Sequence, residues 1–231
     1  VVGYFRFTGR PGWVSLRGYD VLGMAVWEVL LPGQADSPRA TRRLRRGTAL
    51  LQRRGCRRLL SPCDAAPGMD VVQTRGLWQT LAGPLALAAL EQRGLVPGRS
   101  VVGLSAKRRS ANLLRCCRYL APRVRAIAMD AQTEGLIGWE LERAYGLPVV
   151  DAGADVWLDF ALQEGRPGRF ALGGENPEIP GFTLTAPGLE LPPLCPALPL
   201  LSALWAQGRL AASELVILPE SLDRQDKTAY T

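Results

Sequence analysis

Residues 100–160 read SVVGLSAKRRSANLLRCCRYLAPRVRAIAMDAQTEGLIGWELERAYGLPVVDAGADVWLDF, and the alternation of short apolar runs with amphipathic stretches decides the fold. SVVGLS (100–105) is an apolar run too short for a helix and reads as a strand. KRRSANLLRCCRYLAPRV (107–124) carries its apolar residues at helical spacing, with Leu113, Leu114, Cys117, Leu120 and Ala121 on one stripe. RAIAMD (125–130) is a second strand, QTEGLIGWELERAYG (132–146) a second helix, and LPVVD (147–151) and DVWLDF (155–160) two further strands. This order builds βαβ turns of a parallel sheet. The expected fold is α/β, a Rossmann-like mostly parallel sheet with helices on both faces.

Working outward, the pattern predicts this unit over 98–218, preceded by a smaller α/β unit over 1–97. The first 35 residues alternate apolar and polar side chains between Gly-Pro-rich turns, which suits two or three strands. Ser37-Pro38 then reads as an N-cap followed by proline at the first helical position, and Ala40, Leu44, Gly47 and Leu51 share one helix face. The opposite face is arginine. Gly55 ends that helix, and Arg57 to Leu60 suits a short strand before the Pro-Cys-Asp-Ala-Ala-Pro-Gly loop at 62–68. A helix is expected from about Gln73 to Arg93, kinked by Pro84. After Phe160 come short strands, GRFALGG and GFTLTAP, then a helix over Pro196 to Gln207 and a last strand at Glu214 to Leu218. The polar tail 219–231 reads as disordered.

Composition narrows the chemistry. The chain contains no histidine, which removes His-based acid–base catalysis, Ser-His and Cys-His nucleophile pairs and most catalytic zinc sites. Its five cysteines, Cys56, Cys63, Cys116, Cys117 and Cys195, form no CxxC pair and read as reduced, mostly buried thiols. No stretch reaches the roughly 18–20 apolar residues of a membrane span, and no basic-then-apolar leader follows Val1. The expectation is a cytoplasmic protein with no membrane partner.

The net charge of +7 conceals an asymmetry: residues 1–129 carry 22 basic and 6 acidic side chains, residues 130–231 carry 6 and 15. Ser37 to Arg58 has nine arginines and no acid; Gln92 to Met129 has eight arginines, one lysine and no acid. Such stripes meet phosphate backbones, or they face the chain's own acidic half or solvent. The preference for arginine over lysine also follows from a GC-rich coding sequence, so a solvated or internally balanced face is the leading expectation and nucleic acid the lesser one.

The strand–helix junction at 103–110 is the candidate site. In a dinucleotide-binding unit, glycines after the first strand admit a pyrophosphate to the helix N-terminus, and an acid closing the second strand holds the ribose. Asp130 stands at the acid's place, 27 residues after Gly103. The glycines do not, since Ser105 and Arg108 occupy the other two positions. The order of elements, with Ala154 to Asp159 and Leu198 to Trp205, resembles the NAD(P)-binding domain of shikimate-dehydrogenase-type and glutamyl-tRNA-reductase-type enzymes over at most residues 85–210. That resemblance implies a Rossmann-like domain, one that has lost its cofactor, and no catalytic residue carries over.

The candidate binding residues are therefore Gly103, Ser105, Lys107, Arg108 and Asp130. Lys107 and Arg108 beside a helix start suit a phosphate, a carboxylate or an acidic partner without any glycine motif. Asp151, Asp155 and Asp159 cluster near strand ends and suggest a divalent cation only in outline; no metal is expected. The leading reading is a non-catalytic, cofactor-less protein that binds an anionic small molecule or a protein partner. Its alternatives are an oxidoreductase using NAD or NADP and nucleic-acid binding through Arg39 to Arg54.

Overall fold

In the computed structural model, residues 1–61, 66, 68–150, 153–161 and 168–220 are described. The elements run β1 (Val2–Phe7), β2 (Ser15–Val21), β3 (Met24–Leu31), α1 (Ala40–Arg53), β4 (Arg58–Leu59), β5 (Asp70–Val71), α2 (Arg75–Thr80), α3 (Ala82–Gln92), β6 (Val101–Ser105) and α4 (Ala111–Leu120). They continue β7 (Ala126–Met129), α5 (Ala131–Tyr145), β8 (Val149–Val150), β9 (Val156–Asp159), β10 (Arg169–Ala171), β11 (Phe182–Thr185), α6 (Ala197–Ala206) and β12 (Val216–Pro219). The fold is α/β, Rossmann-like, with mostly parallel sheets.

Two compact units share the chain, Val1–Gln73 with Ala186–Glu214, and Thr74–Thr185 with Leu215–Thr231. The division expected from sequence fell at 97. Helical periodicity locates α2 and α3 but not the sheet they cover, and both belong with β6 to β10; α6, expected with that later sheet, belongs with the first.

The first unit holds a sheet of order β2-β3-β1-β4-β5, with β2 antiparallel to β3 and the other pairs parallel. The β2–β3 hairpin turns on Leu22-Gly23, both at positive φ. One face packs on α1: Val29, Leu31, Leu51, Cys56 and Leu59 are buried together, with Phe5 and Leu44 against them. Gly47 is a packing glycine, since a Cβ there would press on Val29 and Phe5. Residues from the α6 segment meet Tyr4, Met24 and Gln73: Tyr4 Oη donates to the Pro193 carbonyl (3.4 Å), Gln207 Nε2 to Met24 Sδ (3.1 Å) and Ser202 Oγ to the Gln73 carbonyl (2.8 Å). Beside Tyr4 the fully buried Glu28 lies 2.6 Å from Arg6 Nε and accepts from Tyr19 Oη at 2.9 Å.

α1 departs from the expected start. Ser37 and Pro38 form a turn before the helix rather than its cap, Arg39 stands at the N-cap with no side-chain hydrogen bond, and Ser37 Oγ accepts from Arg43 instead. The expected kinked helix near Pro84 is two helices broken at Leu81, which places Pro84 in the first turn of α3, where its missing N–H costs nothing.

The second unit's five-stranded sheet, order β10-β9-β6-β7-β8, is parallel throughout, and β11 and β12 form a separate antiparallel pair. From β6 the chain proceeds outward through β7 and β8, then returns to β9 on the other side. That reversal is the switch point at which open α/β sheets bind ligands. α3, α4 and α5 pack over one face, where Val102, Leu104, Ile127, Met129, Val156 and Leu158 are buried. Val101, Ala126 and Ala128 form a smaller cluster on the other face, with Val150, Ala154 and Trp157 against it. The loop expected at 62–68 and the tail lie largely or wholly outside the described residues.

Candidate functional site

The carboxyl ends of β6, β7 and β9 present Ser105, Asp130 and Asp159 along one edge. Leaving β6, the chain runs through Ala106 to Arg109 as an irregular loop, and α4 begins only after Ser110, whose Oγ accepts from Leu113 N (3.1 Å). The helix start expected at Lys107 is thus a loop: Lys107, Arg108 and Arg109 are exposed ahead of the cap. Arg109 pairs with Glu140 at 2.6 Å.

Asp130 caps α5, its Oδ1 accepting from Thr133 N (2.8 Å) while Oδ2 accepts from Ser105 Oγ (2.6 Å). Desolvation pushes this carboxyl up, but hydrogen bonds from Ser105 and Thr133 outweigh it and hold the group below its ordinary value. Thr133 Oγ1, buried behind it, accepts from Ala106 N at 2.8 Å. Ser105, Asp130 and Thr133 therefore tie the loop after β6 to the start of α5. Two of the carboxylate's lone-pair directions are used within the chain.

Gly103 lies in the middle of β6, paired with Trp157 of β9. A Cβ on Gly103 would fall inside the Trp157 indole, so this glycine makes room for a ring rather than for a pyrophosphate. Arg169 of β10 stacks on the same indole at 4.4 Å.

At the switch point a cavity of about 330 Å³ opens between the β6 and β9 ends. Its lining includes Lys107, Arg108 and Ser110 from the loop after β6, Phe160 and Ala161 after β9, and Arg75 and Gln79 from α2. Among the described residues, three cations and no carboxylate border it. Arg75 Nη1 donates to the Gly173 carbonyl (3.3 Å) and Gln79 Nε2 to that of Leu172 (2.8 Å), which fix both side chains to the chain after β10. Of the residues singled out by sequence, Lys107 and Arg108 line the cavity, while Ser105 and Asp130 brace the loop and Gly103 sits below. Arg75, Gln79 and Phe160 were missed because no local pattern links α2 to a strand end more than 25 residues onward. The signal available was weak: Arg75 is the single cation between Arg58 and Arg93.

Of the three aspartates near the strand ends, the two that are described are engaged by the chain. Asp155 Oδ2 accepts from Val101 N (2.8 Å), and Asp159 Oδ1 from Ala161 N (2.9 Å) with Arg169 at 4.0 Å. Asp151 lies outside the described residues. Among the described residues no three His, Cys, Asp or Glu side chains gather as a metal site. Cys56, Cys116 and Cys117 are buried free thiols; desolvation pushes Cys56 to about 11 and Cys117 to about 12, far from reactive thiolates. Cys63 lies outside the described residues.

No protein-family model matches this sequence. No curated protein matches it either. Among solved structures the chain is similar to L-tryptophan dehydrogenase from Nostoc punctiforme, at 15% identity and a TM-score of 0.31, over 59% of this chain and 44% of that one. It thus spans less than half of that enzyme's length, and a likeness this slight carries nothing about chemistry. No helix among the described residues is long and apolar enough to cross a membrane.

Proposed function

We propose that the second unit binds a small phosphorylated or carboxylated ligand in the switch-point cavity and does no chemistry on it. The observation that carries this reading is the lining itself, in which Arg75, Lys107 and Arg108 converge from α2 and the loop after β6 with no acid among the described lining residues. Concentrated like charge around a concave, partly apolar site costs stability unless an anion neutralises it. Phe160 supplies an apolar wall, and Ser110 a hydroxyl at the rim. An acidic segment of a partner protein would satisfy the same cations. The cavity volume favours a small molecule, because it lies at the low end of the roughly 300–1,000 Å³ of ligand pockets.

A second reading, an oxidoreductase using NAD or NADP, rests on the strand order about the switch point, which is that of a dinucleotide-binding sheet. Against it stand the filled space over Gly103 and the use of Asp130 as a brace. Fold alone is a weak warrant for activity.

Titration calorimetry of the purified chain against orthophosphate, pyrophosphate, citrate, NAD and NADP separates these readings. The expected outcome is binding of the small anions, weakened about tenfold or more in Lys107→Ala/Arg108→Ala with no loss of thermal stability. Binding of a dinucleotide in preference to pyrophosphate would favour the oxidoreductase. Silence toward the whole panel, or equal binding by the variant, would remove the cavity as the site.

A further inference from the structure

The outward face of α1 is unrelated to the cavity and lies in the other unit. At 100° per residue, Ala40, Leu44, Gly47, Thr48 and Leu51 fall on the side that packs against the sheet. Arg39, Arg42, Arg46 and Arg53 fall on the opposite side, with Arg45 at the flank, and all five are exposed. They form a straight stripe about 21 Å long at 1.5 Å per residue.

Three features set this stripe apart from an ordinary solvated face. Ordinary helix surfaces intersperse acids with bases, but α1 has none, and the ion pairs among the described residues, Arg6–Glu28, Arg109–Glu140 and Arg169–Asp159, do not involve it. None of these ion pairs among the described residues therefore balances it. Arg39, Arg42 and Arg43 crowd the N-terminal turn, where the helix dipole is positive and no side chain caps it. Arg39 faces Arg43, and Arg42 faces Arg46, at the i,i+4 spacing where like charges repel. Each choice weakens the helix in isolation, and an anion along the stripe would relieve all of them together.

We propose that this arginine face binds the phosphate backbone of a nucleic acid without regard to base sequence. Arginine's planar fork suits bidentate contact with phosphate oxygens. A lipid surface fits less well: the other exposed residues of α1 are Thr41, Ala49 and Gln52, so nothing large and apolar is available to enter a bilayer. A helix lying flat with arginines as its reach contacts backbone and leaves base edges unread.

The test is fluorescence anisotropy of a short mixed-sequence duplex, in DNA and in RNA form, titrated with the full chain over a range of salt. Four phosphate contacts predict a slope of log K against log salt of about −3.6, at about −0.9 per contact. Arg42→Ala/Arg46→Ala should reduce that slope to about −1.8 and weaken binding about tenfold or more in dilute buffer. Arg99→Ala/Arg118→Ala removes the same charge from exposed positions of the other unit and should leave the slope unchanged. Circular dichroism confirms that both variants fold. The proposal falls if neither duplex binds in dilute buffer, or if both double variants lose affinity equally. It also falls if phosphatidylserine vesicles bind through Arg42 and Arg46 while the duplexes do not.

Discussion

Asp130 shows how one carboxylate answers two demands. It ends β7, accepts from Thr133 N to start α5, and accepts from Ser105 to anchor the loop that leads to the cavity. Its pKa lies below the ordinary value, so its contribution to stability is present above the unfolded carboxyl's range and is lost as pH falls through the lowered native value. Asp130→Ala should cost about 1 kcal/mol at neutral pH, the usual loss on deleting such a cap. Asp130→Asn keeps an acceptor for Thr133 N but cannot titrate, so its stability should decline less steeply than wild type below about pH 4. Urea unfolding of the three proteins at pH 7 and pH 3 measures both effects. Parallel pH profiles for wild type and Asp130→Asn would mean that the carboxylate's charge plays no part.

At the level of elements, β6 and β9 lie side by side because Gly103 leaves a gap that the Trp157 ring fills. Gly103→Ala should destabilise the protein by about 1–3 kcal/mol, the range for overfilling a packed position, and leave anion affinity unchanged. Calorimetric melting together with a binding titration would show it; a variant as stable as wild type that lost its ligand would return Gly103 to the site. The strands and helices from 100 to 160 were legible because each spans enough residues to show its period, and Gly146, at φ 61°, ends α5 where its sequence position indicates. The role of Gly103 was not, since a glycine near a strand end looks the same whether a phosphate or an indole lies above it. The start of α4 was misplaced for a related reason. Lys107 to Arg109 are compatible with helix by propensity, and only the Ser110 hydrogen bond to Leu113 N fixes the boundary. Half of the candidate site was legible, the Lys107-Arg108 loop, because it is local. Arg75 and Gln79 reach the cavity only through tertiary packing.

On the scale of the whole chain, the first unit is discontinuous: β1 to β5 precede the second unit and the α6 segment follows most of it. A fragment of residues 1–97 would carry α2 and α3 without the sheet they cover, and would lack the segment that meets Tyr4, Met24 and Gln73. It should therefore fail to fold cooperatively, which near-ultraviolet circular dichroism and urea titration would reveal; a sharp two-state transition from 1–97 would overturn that expectation.

The same discontinuity governs the order of events on the ribosome. The sheet of β1 to β5 emerges first, yet its partner helix is synthesised only after the entire parallel sheet of the second unit. At ~5–20 residues per second the nascent chain holds this sheet incomplete for roughly 7–28 s. During that interval Tyr4 and Met24, buried in the finished protein, lack the α6-segment residues they meet, Pro193 and Gln207. The early sheet thus waits, incomplete, until the later segment of its own unit, which ends at Glu214, has been synthesised.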